Sequence, residues 1–253
     1  MASQTTPPKQ KKWAATFSYF FVGKLREGIV ASSRVDDFAL EVYETSACWS
    51  GLLNDDAQST SVLSQIPGLY RKLQESSDNK AATSESLTRS QTVAILQALH
   101  LLRLHHPSQM EFRAHLNSSD MVPAVYRLHV FNVAAALRRN TYTRLASLTD
   151  PSSHPLLRDL PKDAIHIKAL LASFGRIRDL ARPQAWRCIH AAYREVSAKE
   201  EVGRWLSRSL LLKRGPKQLS EWMELKSKSG EAAKKPGDGG GGWTFIRQIK
   251  GKS

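Results

Sequence analysis

The stretch EEVGRWLSRSLLLKRGPKQLSEWMELKSKSGEAAKKPGDGGGGWTFIRQIK, residues 200–250, decides how the chain is read. Its first two parts, 200–212 and 216–229, are amphipathic and joined by Lys213, Arg214 and Gly215, which predicts two helices. A glycine-rich run follows at 237–242, and residues 243–250 then alternate apolar and polar side chains among strand formers. Two helices, a glycine-rich loop and a terminal strand have the outline of a winged-helix module over 197–253.

Upstream of this module the periodicity is helical. Residues 13–30, 35–53, 62–75, 88–106, 109–116, 122–140, 141–148, 164–181 and 183–196 are predicted helices with short connections. On 35–53 the apolar face is Phe38, Val42, Thr45 and Trp49; on 122–140 it is Val125, Leu128, Val133, Ala136 and Leu137. Pro67 kinks its segment or starts its helix, and Pro183 fits the first turn of a new helix. The polar stretch 76–86 reads as a surface loop and Asn117–Asp120 as a turn. The expected fold is mainly α. It is a right-handed stack of helical hairpins over 13–196, capped by the C-terminal winged helix and preceded by a disordered basic tail, 1–12.

Composition limits the function. The chain has 253 residues and a formal net charge of +14. Residues 1–125 carry 12 basic and 12 acidic side chains, whereas 126–253 carry 25 and 11, so the whole excess falls in the second half. That asymmetry points to a polyanionic partner. The two cysteines, Cys48 and Cys188, provide no disulfide framework, which suits an intracellular compartment, and neither lies in a zinc-ligand pattern. His100, His105 and His106 do not place three ligands on one helical face. No apolar run approaches the ~20 residues of a membrane span. The apolar run 13–23 after Lys9, Lys11 and Lys12 is followed by Lys24 and Arg26 rather than by a small-residue cleavage site. No nucleophile, metalloprotease or paired-carboxylate motif is present, and the glycine run lacks the strand–loop–helix context of a phosphate cradle. The expectation is a protein without catalytic residues, metal, cofactor, small-molecule substrate or membrane association.

The basic half supplies the candidate site. Arg204, Arg208, Lys213, Arg214, Lys217, Lys226, Lys228 and Arg247 are the candidate nucleic-acid ligands, with Lys234, Lys235, Lys250 and Lys252 beside them. Trp222 and Trp243 either stack on unpaired bases or pack in the core beside Leu219 and Leu225. Trp222, Trp243, Arg187 and Arg194 are the candidate partner interface. Arg138, Arg139 and Arg144 fit complementation of a helix dipole and loop solubility, and Glu111 and Arg113 fit a helix–helix joint. Trp205 reads as core, and Tyr193 is placed between the last repeat and the winged helix.

From Phe38 to Leu206 the order of motifs resembles a known family. The segments that carry it are 43–73 (YETSACWSGLLNDDAQSTSVLSQIPGLYRKL), EFRAHL at 111–116, HVFNVAAALRRNTYTRLASL at 129–148, IRDLARPQAWRCIHAAYREV at 177–196 and WLSRSLLL at 205–212. They are similar to the family of germinal-centre-associated nuclear protein and the yeast suppressor-of-actin scaffold, the SAC/GANP or leucine permease transcriptional regulator family. The chain departs from it at His115, where the family often has Tyr, and at Thr141, where it has Asn. It also lacks the upstream Cys-containing segment, the phenylalanine-glycine repeats and the partner-collecting long helix of larger members, so a short member or a truncated gene model is expected. The resemblance implies a PCI-type scaffold in the nucleus or at the nuclear pore, with some in the cytoplasm. Such a scaffold joins other PCI-type subunits, and it binds RNA or DNA without strong sequence preference during transcription-coupled mRNA processing and export. The alternative is a structural subunit of a complex like the proteasome lid or the signalosome, without nucleic-acid binding.

Overall fold

A computed structural model describes residues 8–76, 84–119, 121–154, 157, 164–197, 199–212, 216–235 and 242–246. The fold is mainly α, and the chain divides into two compact units, residues 1–127 with 159–174 and residues 128–158 with 175–253.

The first unit contains α1 (Pro8–Ala31), α2 (Asp37–Leu53), α3 (Asp56–Ser76), α4 (Ser84–Leu104), α5 (Met110–Ser118) and the opening turns of α6 (Ala124–Arg138) and α8 (Ile165–Ala192). Helix α2 packs against α1, α3 and α4. Its start is fixed by Asp36, whose carboxylate accepts from Ala39 N at 2.8 Å. Its end is fixed by Asn54, left-handed at φ 61°, a conformation that Asn tolerates better than most residues. The next residue, Asp55, caps α3 through Gln58 N at 3.0 Å and accepts the Tyr19 hydroxyl of α1 at 2.8 Å. One carboxylate therefore ties α1 to the α2–α3 corner.

The interior of α2 holds a carboxylate that periodicity does not single out. Glu44 is fully buried. It accepts from Tyr70 Oη of α3, from Arg89 Nε at 2.6 Å and from Ser90 Oγ at 2.7 Å, both of α4. A buried carboxylate is tolerated only with such partners. The inward face of α2 is Ala39, Val42, Tyr43, Ala47 and Cys48, whereas Phe38 lies 43% exposed under the Arg34 guanidinium. Burial and the neighbouring Glu44 push the Cys48 thiol well up, which leaves it protonated and inert as a nucleophile.

The second unit holds the rest of α6, α7 (Tyr142–Leu148), a 3-10 turn at Pro151–Ser153, the rest of α8, β1 (Glu195–Val196), α9 (Glu200–Ser209), α10 (Pro216–Lys228), β2 (Ala232–Lys234) and β3 (Trp243–Phe245). The strands form one antiparallel sheet in the order β1-β3-β2, pairing Val196 with Trp243 and Ala233 with Thr244.

Several boundaries differ from the sequence expectations. Helix α1 begins at Pro8, five residues before the predicted start and inside the proposed tail, because proline is suited to a first helical turn. Residues 1–7, most of the 76–86 loop and the Lys213–Gly215 link lie outside the described residues. Asn117 and Ser118 belong to α5, not to a turn. On α6, Val125 and Leu128 are more than 60% exposed, and His129 and Val130 take the inward positions. The largest correction is α8. Residues 164–181 and 183–196 were expected as two helices, yet one helix of 28 residues runs through Pro183. An interior proline costs about 3 kcal/mol. Beyond it the helix buries Ala185, Trp186 and Ile189, and full burial of large apolar side chains is worth about 1.5–3 kcal/mol each. The apolar stripe outweighs the break. The predicted strand 243–250 is described only to Ile246, and β1 and β2 were not anticipated.

Two predictions follow from these buried polar groups. Glu44→Ala leaves Arg89, Tyr70 and Ser90 without their common acceptor and should cost about 3 kcal/mol in urea unfolding; a loss below about 0.5 kcal/mol would show that the network is energetically idle. His154 is fully buried, its ring edge-on to His129 at 4.6 Å, and burial, then the His129 charge, push it down to about 3. The unfolded chain takes up this proton near pH 6.5 and the native state only near 3, so stability should fall on acidification between those values, by up to about 1.4 kcal/mol per pH unit from this group. Melting curves from pH 7 to 4.5 should show a shallower decline for His154→Gln than for the wild type.

Candidate functional site

The C-terminal part of the second unit is built on Trp186 of α8. Its ring meets Trp222 edge-on at 4.9 Å and Phe245 at 5.2 Å, and Ile189, Val196, Leu206, Leu210, Met223 and Ala232 complete the cluster. Its indole N–H donates to Glu231, which also accepts from Lys226 Nζ at 2.7 Å and Ser229 Oγ at 2.9 Å. Burial opposes ionisation of Glu231, but the hydrogen bonds from Lys226, Trp186 and Ser229 prevail and hold its carboxyl below the usual range.

Arg182 joins α8 to the end of α9. Its Nε donates to Leu210 O at 3.0 Å, Nη2 to Leu211 O at 3.2 Å, and Nη1 pairs with Asp179 at 2.7 Å. These bonds satisfy carbonyls that the last turn of a helix leaves open, next to Leu211 at φ 57°. An open groove of ≈ 360 Å³ lies between α8 and α10, lined by Pro183, Trp186, Trp222, Leu225 and Lys226 among others.

The candidate nucleic-acid ligands occupy unlike environments. Arg204 and Arg208 are exposed on α9, one turn apart, and Arg204 faces Glu200 at 3.9 Å. Lys217 and Lys228 are exposed at opposite ends of α10. Lys213, Arg214 and Arg247, with Lys250 and Lys252, lie outside the described residues. Lys226 already has partners: its ammonium is paired with Glu231 and rests over the Trp186 and Trp222 rings at 5.3 and 5.0 Å.

Of the candidate partner residues, Arg187 and Arg194 are exposed, and Trp222 and Trp243 are half-buried against the cluster. Leu225, expected beside Trp222 on the apolar face, is 63% exposed. Trp205 is half-buried with the partly exposed Tyr193 edge-on at 5.2 Å. Elsewhere, Glu111 pairs with His105 at 2.7 Å, from α5 to the end of α4.

The outward stripe of α10 is not uniformly basic. It reads Lys217, Ser220, Glu221, Glu224, Leu225 and Lys228, with two carboxylates between the lysines. From Arg194 onward the described residues hold nine basic and six acidic side chains. Lys235 pairs with Glu195 across the sheet ends.

Sequence reasoning missed Glu231 and Gly242, and it read Arg182 as basic surface or a pair for acidic partners rather than as the clamp on α9. A Cβ on Gly242 would lie 2.5 Å from Val196 O, and Gly242 O accepts from Lys235 N at 2.9 Å. The glycine run at 237–242 carried the signal without showing which glycine is required.

No group of three His, Cys, Asp or Glu side chains among the described residues is arranged to hold a metal ion, and no described helix is long and apolar enough to cross a membrane. Compared with models of known protein families and with curated proteins, the chain matches none.

The sheet makes Gly242 a sharp test. Gly242→Ala must push β3 from β1 and should destabilise by about 1–3 kcal/mol, as overpacking against backbone does. Hydrogen exchange at β1 and β3 should accelerate. Gly203→Ala in α9, whose Cβ would meet only Leu219 Cδ2 at 3.7 Å, should be neutral or stabilising.

Proposed function

We propose that this protein is a non-enzymatic PCI-type scaffold subunit. In this reading helical hairpins carry a C-terminal winged helix that joins a partner subunit, and the chain also binds nucleic acid, with RNA preferred. The observation that carries the reading is the order of the last elements. The end of α8, β1, α9, α10, β2 and β3 run helix, strand, helix, helix, strand, strand, and the sheet is ordered β1-β3-β2. That is the element order expected of a winged helix, in which the wing is the connection between the last two strands. The resemblance of 38–206 to the SAC/GANP family supports a role in transcription-coupled mRNA processing and nuclear export.

A second reading has its own support. The alternation of Lys217, Glu221, Glu224 and Lys228 on the outward stripe of α10 suits a protein surface better than a phosphate backbone. It favours α10 as a partner contact, and in its strict form it makes the protein a structural subunit of a lid-like complex without nucleic acid.

Fluorescence anisotropy of the full chain with a labelled 20-nucleotide oligouridylate at 50–200 mM salt separates the two. The scaffold reading expects binding whose logarithm falls linearly with log salt, with a slope near −3 for about four phosphates neutralised. Absence of binding at 50 mM, together with a stable co-purifying subunit, would hand the assignment to the structural reading.

A further inference from the structure

We infer that the nucleic-acid surface of this protein is an arginine elbow formed by Arg138 and Arg139 at the end of α6, Arg144 on α7 and Arg187 on α8, rather than helix α10. The inference rests on the proposal that the chain binds nucleic acid, and it specifies where.

The elbow is made by a tight chain reversal. Asn140 is left-handed at φ 54°, Asn140 N donates to Leu137 O at 3.2 Å and Thr141 N to Ala136 O at 3.0 Å, so α7 starts immediately after α6 ends. Tyr142, the first residue of α7, brings its hydroxyl within 3.9 Å of Cys188 Sγ on α8. The adjacent Arg187 is near enough for its charge to bear on the Tyr142 phenol, partly offsetting the upward push from burial and from Cys188. Two arginines precede the turn, one follows it by a single helical turn, and the fourth sits across from it.

All four guanidinium groups are exposed, and none makes an ion pair among the described residues. Residues 128–149 and 180–194 contain no Asp or Glu, with Asp150, Asp179 and Glu195 bounding them and Glu200 and Glu201 on α9, which packs against α7. Complementing the C-terminal dipole of α6 accounts for Arg138 and Arg139, but not for Arg144 and Arg187. Like charges in excess on neighbouring elements repel, and a polyanion relieves that repulsion.

The class of partner follows from the side chains between the arginines. Arg139, Asn140, Thr141, Thr143 and Arg144 are exposed and polar. Arginine with amide and hydroxyl donors suits phosphate oxygens and sugars. A protein interface centres on a large apolar or aromatic anchor; the aromatic between these arginines, Tyr142, is half-buried and turned to Cys188 of α8. The mixed-charge stripe of α10 is the poorer phosphate track by the same comparison.

The test uses the full chain and labelled 20-nucleotide oligouridylate, with oligothymidylate as the DNA arm. Arg139→Gln/Arg144→Gln/Arg187→Gln should weaken binding roughly 10- to 100-fold at 50 mM salt and reduce the salt slope by about 2, as expected for three contacts to a single strand. The corresponding Arg→Lys triple should stay within about threefold of wild type, since charge rather than bidentate geometry is required. Lys217→Gln/Lys228→Gln should change affinity less than about twofold if α10 is not on the path. Retained binding in the elbow Gln variant with lost binding in the α10 variant overturns the inference and leaves the scaffold reading intact. An elbow variant that keeps RNA but loses a co-purifying subunit also overturns it, by making the surface a protein contact. A wild-type chain that binds neither oligonucleotide removes the reading itself. Unchanged melting of the Gln triple separates loss of contact from loss of fold.

Discussion

Trp186 lies one turn beyond a proline inside its own helix, and the C-terminal cluster is organised around its ring. Its faces and edges meet Trp222 and Phe245, its N–H reaches Glu231, and the Lys226 cation lies over it. If α8 had stopped at Arg182, neither Trp186 nor Ile189 would reach this cluster. The sheet and α10 would then lose the surface on which they pack. The continuation depends on Arg182 as well. Its guanidinium closes the end of α9 and holds the Asp179 carboxylate, so the residue that proline restricts most is fixed from three sides. The apolar stripe and this polar clamp together keep the helix whole.

The long helices were legible because apolar residues recur at their period, and helices α2, α4, α6, α9 and α10 are found within a few residues of expectation. Pro183 was misread because local preference at a proline is strong, while the burial that overrides it is contributed by residues remote in sequence. Strands of two or three residues, such as β1 and β2, are too short to display a period of two. On α6, Val133, Ala136 and Leu137 face inward as expected, but Val125 and Leu128 do not, because His129 occupies a core position that a hydrophobicity pattern assigns to Leu128.

The candidate site shows the same division. Residue type and position indicated that the second half is basic. They did not indicate which cations already have partners: Lys226 looks like its neighbours in sequence, and only the chain reversal after α10 brings Glu231 against it. The charge excess is therefore unevenly available. Around α10 it is diluted by Glu221 and Glu224, whereas residues 128–149, which hold the α6–α7 corner, carry arginines and no Asp or Glu. A uniform count over the second half conceals that contrast, and it decides which surface faces a polyanion.

The carboxylate of Glu44 has a consequence for how the first unit assembles. Its acceptors are filled by Tyr70 from α3 and by Arg89 and Ser90 from α4, so no two helices alone provide the full set. A partly docked form, with α2 against α3 only, would enclose a negative charge lacking its cation, and desolvating an ion without its counterpart is costly. Half-assembled states are thereby penalised in proportion to how tightly they close. The three helices are made to dock together, and a single glutamate in an otherwise apolar interior acts as a source of folding cooperativity rather than as a weak point in the packing.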